Sequence, residues 1–516
     1  MINESSVNYN AVTTAVVVLF GLFTTFVAST FIFGGASPIA TFSVVAGMVL
    51  LTAGIIQPGR MLFVMVPVTL YLDTIKRTLI FGGQANLDNV TSVLAVGPLS
   101  ATGIVIGCVI RRIFVRRLGV PAERIAIVAA MAAYVAFGGL ETFTEGNLLY
   151  GLRTAANSTV YFLLSWAVLQ CFQNPNDARR FLKFSLLMGL PVALYGIWQY
   201  WFGLSDFEIS YLKSGLSITA VNLDDLRPRP FSTLGSVHSY SIMMALMFPL
   251  AFHFSSSAPT KSSRWKWKLV VVLYGSALLF SLSRSATVAG VAMILFSKLF
   301  RSKIGTAIAY SVSGVFLTFL IFYAERIQYN LDKYQSFLPM NSQWQEQAFR
   351  LGTFSDRLMS YQNVLGSPST WPLFANPLGY RANEAVFGEA DFTHDLFSQM
   401  ILRVGAVPVI IAICLGLYVL WRTHRSIFRL ELGKTAPRAL AAQLMAIIVV
   451  YLLSQSGGSG MTVFPLNFWL SVLVGLLTVI CLRGREILPT TEALPADPEE
   501  VRRKGRRSVH WVPRTD

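Results

Sequence analysis

Charge is scarce in this chain. Only 13% of its 516 residues are Asp, Glu, Lys or Arg, against roughly 25% in soluble domains. With 54% hydrophobic residues and a mean hydropathy of +0.56, that shortfall excludes a multidomain soluble protein. Cysteine is scarce too. Cys108, Cys171, Cys414 and Cys481 all lie within or at the ends of apolar runs, which argues against a disulfide framework or a thiolate metal site. The familiar nucleotide and hydrolase signatures are missing: no P-loop, no Gly-x-Gly-x-x-Gly before a helix, no Gly-x-Ser-x-Gly elbow, no His-Glu-x-x-His. No internal repeat or low-complexity tract is visible.

What is present is apolar sequence in long pieces. Runs such as Ala11–Phe33 and Ile304–Ala324 carry no charge and reach the length of about 20 residues that crosses some 30 Å of hydrocarbon. The first run is too long for a cleaved signal peptide, and Met1–Asn10 lacks Lys and Arg. The pattern predicts an all-α polytopic membrane protein with about fourteen spans, at 11–33, 37–57, 61–80, 90–110, 124–141, 155–172, 181–203, 237–254, 268–283, 286–300, 304–324, 397–420, 439–456 and 464–482. The transmembrane domain is then 1–482, with one large extracytoplasmic loop at 325–396 and a basic, disordered cytoplasmic tail at 483–516.

The net charge of +16 raises the question of nucleic acid. Its distribution answers it. The cations fall in short clusters beside the apolar runs: Arg111 to Arg117, Arg179 to Lys183, Lys261 to Lys268, Arg301 and Lys303, Arg422 to Arg429. That is the positive-inside pattern, and it puts these clusters and both termini in the cytoplasm. Lys76 and Arg77 are the exceptions, near the outer end of the third run. No cytoplasmic loop is long enough for nucleotide chemistry. The partner implied by the charge is the bilayer, not nucleic acid.

The opposite face carries few basic residues, so each is informative. Arg227-Pro228-Arg229-Pro230 is stiffened by its prolines. Arg284 sits in a short turn, Leu282-Ser283-Arg284-Ser285, and Arg357 lies in the large loop. A guanidinium fork matches two phosphate oxygens, so arginines converging from separate loops suit a diphosphate. Pairing with Asp224, Asp225, Asp356 or lipid headgroups explains them equally simply. His394, beside Asp395, stands before the run at 397–420, where a neutral imidazole can take a proton from a hydroxyl. A helix-capping histidine is the plainer alternative. His238 opens the run at 237–254, and His253 closes it. His424 and His510 lie among cytoplasmic basic residues and are expected to be solvated. The large loop starts with amphipathic stretches, Ile327–Phe337 and Gln343–Phe349, that suit short interfacial helices.

In this order, these residues resemble the bacterial O-antigen ligase and O-antigen polymerase superfamily. The likeness covers roughly residues 180–480 and rests on four short patterns. They are Arg227 to Gly235 leading into a span, Ser281-Leu-Ser-Arg-Ser-Ala286, Asp356-Arg357 with Asn376-Pro-Leu-Gly379, and Thr393-His394-Asp395 followed by Gln399 and Arg403-Val-Gly405. Three positions depart from the family pattern. Asp395 stands where Asn is usual, Gly379-Tyr-Arg replaces Gly-x-Gly, and His238 replaces a frequent Asn.

The resemblance implies a metal-independent, cofactor-free, inverting glycosyltransferase in the bacterial inner membrane, with its site on the extracytoplasmic side. Its donor would be a glycan on undecaprenyl diphosphate, and its acceptor a hydroxyl of a glycan or a lipid. By position, Arg284 and Arg357 would bind the diphosphate, with Arg227 or Arg229 assisting. His394 would be the general base, with His238 and Asp395 in the acceptor site. Polymerisation of capsule, O-antigen or exopolysaccharide repeats, with a chain-length regulator as partner, is the leading form. Ligation to a lipid or protein acceptor is the next, and a lipid-linked oligosaccharide flippase the third.

Overall fold

Proline and small polar caps decide where the helices begin. The computed structural model describes residues 38–81, 92–114, 160–161, 163–214, 229–316, 373, 401, 405–430, 437–454 and 464–483. Its longer helices are α1 (Pro38–Ile56), α2 (Pro58–Phe81), α3 (Val96–Phe114), α4 (Pro175–Phe202), α5 (Asp206–Lys213), α6 (Val237–Ser256), α7 (Lys261–Phe280), α8 (Arg284–Leu299), α9 (Ala406–Ile427), α10 (Pro437–Ser454) and α11 (Leu466–Arg483). Residues 163–171 and 303–316 are helical as well. Among the described residues there is no strand. Four of these helices open on proline, whose missing N–H costs nothing in the first turn. Asn174 caps α4 by accepting from Asn176 N and Asp177 N, while Asp177 reaches back to the cap. Ser236 caps α6 and Thr260 caps α7 through the N–H groups of Ser239 and Ser263.

The caps shift several expected boundaries. The runs predicted at 181–203 and 268–283 prove to be helices from Pro175 and Lys261. Their basic first turns are helical, because backbone hydrogen bonding does not stop where the hydrocarbon does. Within the run predicted at 397–420, the described helix Ala406–Ile427 starts after Gly405 at φ 94 and continues past the expected end. Among the described residues, five helical stretches are long and apolar enough to cross a membrane: Ser92–Arg111, Pro175–Phe202, Val237–Ser256, Val409–Ile427 and Pro437–Ser454. The all-helical membrane class therefore holds at this coarser level. The predicted runs at 11–33 and 124–141, the large loop apart from Leu373, and the tail beyond Arg483 lie outside the described residues.

Packing makes α6 the hub. It touches α4, α7, α8, α10 and α11, and its side chains are buried nearly all round, as expected of a helix apolar on every face. By contrast α7 and α9 expose Leu269, Val272, Ile410, Ile411 and Leu417, faces that lipid would cover. On the other flank α1 packs against α3 through glycines. A Cβ on Gly107 would lie 2.6 Å from the carbonyl oxygens of Gly54 and Ile55. Such backbone contact is the small-residue packing of membrane helices. Cys108 and Cys171 meet across α3 and the helix at 163–171, sulfurs 3.5 Å apart, both free thiols.

The helices give the bundle two distinguishable ends. Arg60, Arg111, Arg180 and the first turns of α7 gather at one. At this basic end Lys183 Nζ lies 5.6 Å from the centre of the Phe254 ring, and Arg438 Nη2 donates to Arg301 O at 2.6 Å. His424, expected in solvent, is instead buried there, 4% exposed. Its Nε2 meets Thr306 Oγ1 at 2.9 Å, its Nδ1 meets Tyr310 OH at 3.3 Å, and Phe300 and Phe428 pack on the ring. The basic neighbours misled because helical spacing turns His424 inward while Arg422 and Arg425 face out.

Candidate functional site

The other end is built around a stretch without regular structure, Pro230 to Ser236, buried throughout. Irregular backbone at depth is tolerated only if its polar groups find partners. Three helices supply them. From α2, Arg77 is fully buried and donates through Nη1 to Ser232 O and through Nη2 to Leu234 O. From α4, Gln199 Oε1 accepts from the N–H groups of Phe231 at 3.1 Å and Ser232 at 2.6 Å. Thr233 Oγ1 donates to Leu70 O at 2.7 Å, and Ser232 Oγ to Val192 O at 2.6 Å.

A second layer holds the first. Gln199 Nε2 donates to Glu208 Oε1 at 2.7 Å, and Tyr195 OH donates to the same oxygen. Glu208 Oε2 accepts from Ser205 N at 2.6 Å, so a fully buried carboxylate is met on both oxygens. Tyr211 of α5 donates to Gly235 O and receives Lys76 Nζ, each at 3.3 Å. The Arg77 guanidinium lies 4.4 Å from the centre of the Phe231 ring, a desolvated cation–π contact. Asp73 sits against Gly235: its carboxylate takes the Gly235 N–H and lies within electrostatic reach of Lys76 and Arg77. A Cβ at residue 235 would meet Asp73 Oδ2 at 2.8 Å, so a larger residue there would have to displace the Asp73 carboxylate.

Lys76 and Arg77, exceptions to the charge pattern, are thus structural cations. Asp73, Gln199, Glu208 and Tyr211 were missed at the sequence level. The available signal was ionisable residues inside an apolar run, which by default mark a site.

Arg229 leads into this clamped stretch and is half-buried; His238 follows in the first turn of α6, also half-buried. Arg284 opens α8 and is exposed. The turn before it is pinned by Phe280, which stacks on Tyr200 of α4 with centroids 4.7 Å apart. Arg284 lies within electrostatic reach of Arg229: partial burial first, then the like charge of Arg229, lower the Arg284 pKa below the usual arginine value. Both turns carry a non-glycine residue in the left-handed region, Ser232 at φ 52 and Leu282 at φ 54, and among the described residues no others do. Such backbone costs about 1 kcal/mol or more and gathers at sites whose surroundings enforce it.

Electrostatically, then, two guanidinium groups from separate turns share one end of the bundle with the N-terminus of α8, whose dipole is positive. Such a place favours a multiply charged anion. Arg227, Arg357, His394 and Asp395 lie outside the described residues. No protein-family model and no curated protein matches the chain.

Proposed function

We propose that this chain is a membrane glycosyltransferase. It moves a glycan from an undecaprenyl-diphosphate-linked donor to an acceptor hydroxyl, polymerising repeat units of a surface polysaccharide. The observation that carries the reading is that two strained turns, at Ser232 and Leu282, place Arg229 and Arg284 at the end of the bundle opposite the basic clusters, within electrostatic reach of each other. The ordered motif resemblance over residues 180–480 supplies the chemistry, and the positive-inside rule makes the basic end cytoplasmic.

In this mechanism Arg284, Arg357 and Arg229 or Arg227 hold the diphosphate. The acceptor oxygen attacks the anomeric carbon from the face opposite the leaving group. The carbon–oxygen bond to the diphosphate breaks with inversion, His394 takes the acceptor proton, and the arginines receive the charge that develops on the diphosphate. His238 and Asp395 border the acceptor.

Reconstitution with purified lipid-linked donor tests this. Wild-type protein is expected to make long polymer from glycan acceptors. Arg284→Ala and His394→Ala should each lose it, by a factor of about 100 or more, at normal abundance and membrane insertion. Transfer of a single glycan to a lipid acceptor would make the protein a ligase. Donor crossing the bilayer with no bond formed would overturn the enzyme reading in favour of a flippase.

A further inference from the structure

The basic end of the bundle holds an open cavity of about 630 Å³, a size typical of small-ligand sites. It is lined by residues of three helices and their connections. Arg60 comes from the first turn of α2, Arg111 from the end of α3, and Arg180 from the first turns of α4. Phe63 and Phe172 give it an apolar wall, and Gln57 and Asn174 add amides. Arg60 and Arg77 are on the same helix, and the helical rise separates them by about 25 Å. The cavity is therefore remote from the glycan site and independent of its chemistry.

Three observations indicate what the cavity takes. Its lining carries three guanidinium groups against one carboxylate, Asp177. That carboxylate is already engaged by the N–H groups of Gln173 at 3.2 Å and Asn174 at 3.3 Å, where it completes the α4 cap. Two of the arginines are held in place. Arg60 Nη1 donates to Gln57 Oε1 at 2.9 Å, and Arg111 Nη2 to Ile56 O, the last residue of α1, at 2.7 Å. These two cations are thus preorganised, and the N-terminus of α4, which carries Arg180, adds its positive dipole. The combination of fixed arginines, amides and an aromatic wall, at the level where apolar helices end, suits a phosphate diester attached to acyl chains.

We infer that this cavity binds the phosphate headgroup of an anionic phospholipid, with Arg60, Arg111 and Arg180 as its ligands. A free phosphate shares the anionic chemistry but gains nothing from Phe63 and Phe172. The site ties α1, α2, α3 and α4 together at one end through a lipid.

The test uses the full chain in nanodiscs of phosphatidylcholine with or without phosphatidylglycerol, and native mass spectrometry to count retained lipids. Wild-type protein should retain a phosphatidylglycerol, and its melting temperature should rise with that lipid. Arg180→Gln should weaken retention about fivefold, and the triple Arg60→Gln, Arg111→Gln, Arg180→Gln variant should abolish it. Arg180→Gln touches neither the α4 cap nor the Arg111–Ile56 contact, so it remains informative if the triple variant folds poorly. Equal retention by wild-type and Arg180→Gln, or equal retention of phosphatidylcholine, would overturn the proposal. So would an arginine-dependent stabilisation by millimolar inorganic phosphate that matches the effect of the lipid, since the source would then be soluble.

Discussion

Arg77 shows what a single side chain does here. Buried beside an irregular turn, it donates to two backbone carbonyls, and its charge is balanced by Asp73 nearby. Arg77→Ala should therefore destabilise by about 3 kcal/mol, as expected when one member of a buried charged network is removed. Unfolding in detergent measures this. Arg77→Lys should recover only part, since an ammonium lacks the fork that spans two carbonyls. Gln199→Ala strands the N–H groups of Phe231 and Ser232 and should cost about 1–3 kcal/mol. If either variant matches wild type in stability, the clamp is not what holds the turn. At this scale the sequence was only partly legible. Arg229 and Arg284 were visible as isolated cations on a poorly charged face. Gln199 and Tyr211 were not, because a polar residue in an apolar helix gains its meaning from a partner tens of residues away.

At the scale of elements, helix starts follow local chemistry and helix pairing follows small residues. Asn174 with Asp177 and Thr260 with Ser263 set the starts of α4 and α7, ahead of the apolar runs that suggested the helices. The α1–α3 pair depends on backbone contact at Gly54 and Gly107. Gly107→Val would drive a side chain into the carbonyls of Gly54 and Ile55. The expected loss is about 1–3 kcal/mol, the usual range for overpacking, with a lower melting temperature in nanodiscs as the readout. Because α1 and α3 pack chiefly on each other and on α2, away from the turn that carries Arg229, polymer length from folded Gly107→Val protein should match wild type. Loss of polymer at normal abundance would couple this pair to the site.

For the whole molecule, the two ends of the bundle divide the work. One gathers basic clusters, a buried histidine and a cavity rich in arginine; the other holds the clamped turn with Arg229 and Arg284. If the proposed displacement is right, the arginines carry the leaving charge without a metal. Polymer formation in reconstituted vesicles should then proceed at an unchanged rate in EDTA. A chelator-sensitive rate restored by magnesium would refute that part of the mechanism. The all-helical membrane class, the basic end and the two conspicuous arginines were determined by the sequence by itself, because hydrocarbon thickness and charge placement act on runs of residues that can be counted along the chain. Only the tertiary structure decided that Lys76 and Arg77 are internal, that His424 is enclosed, and that the turn at Pro230 to Ser236 is clamped by α2, α4 and α5. The physical reason is that a buried polar group is stable only through its partners, and those partners become neighbours only once the helices have packed.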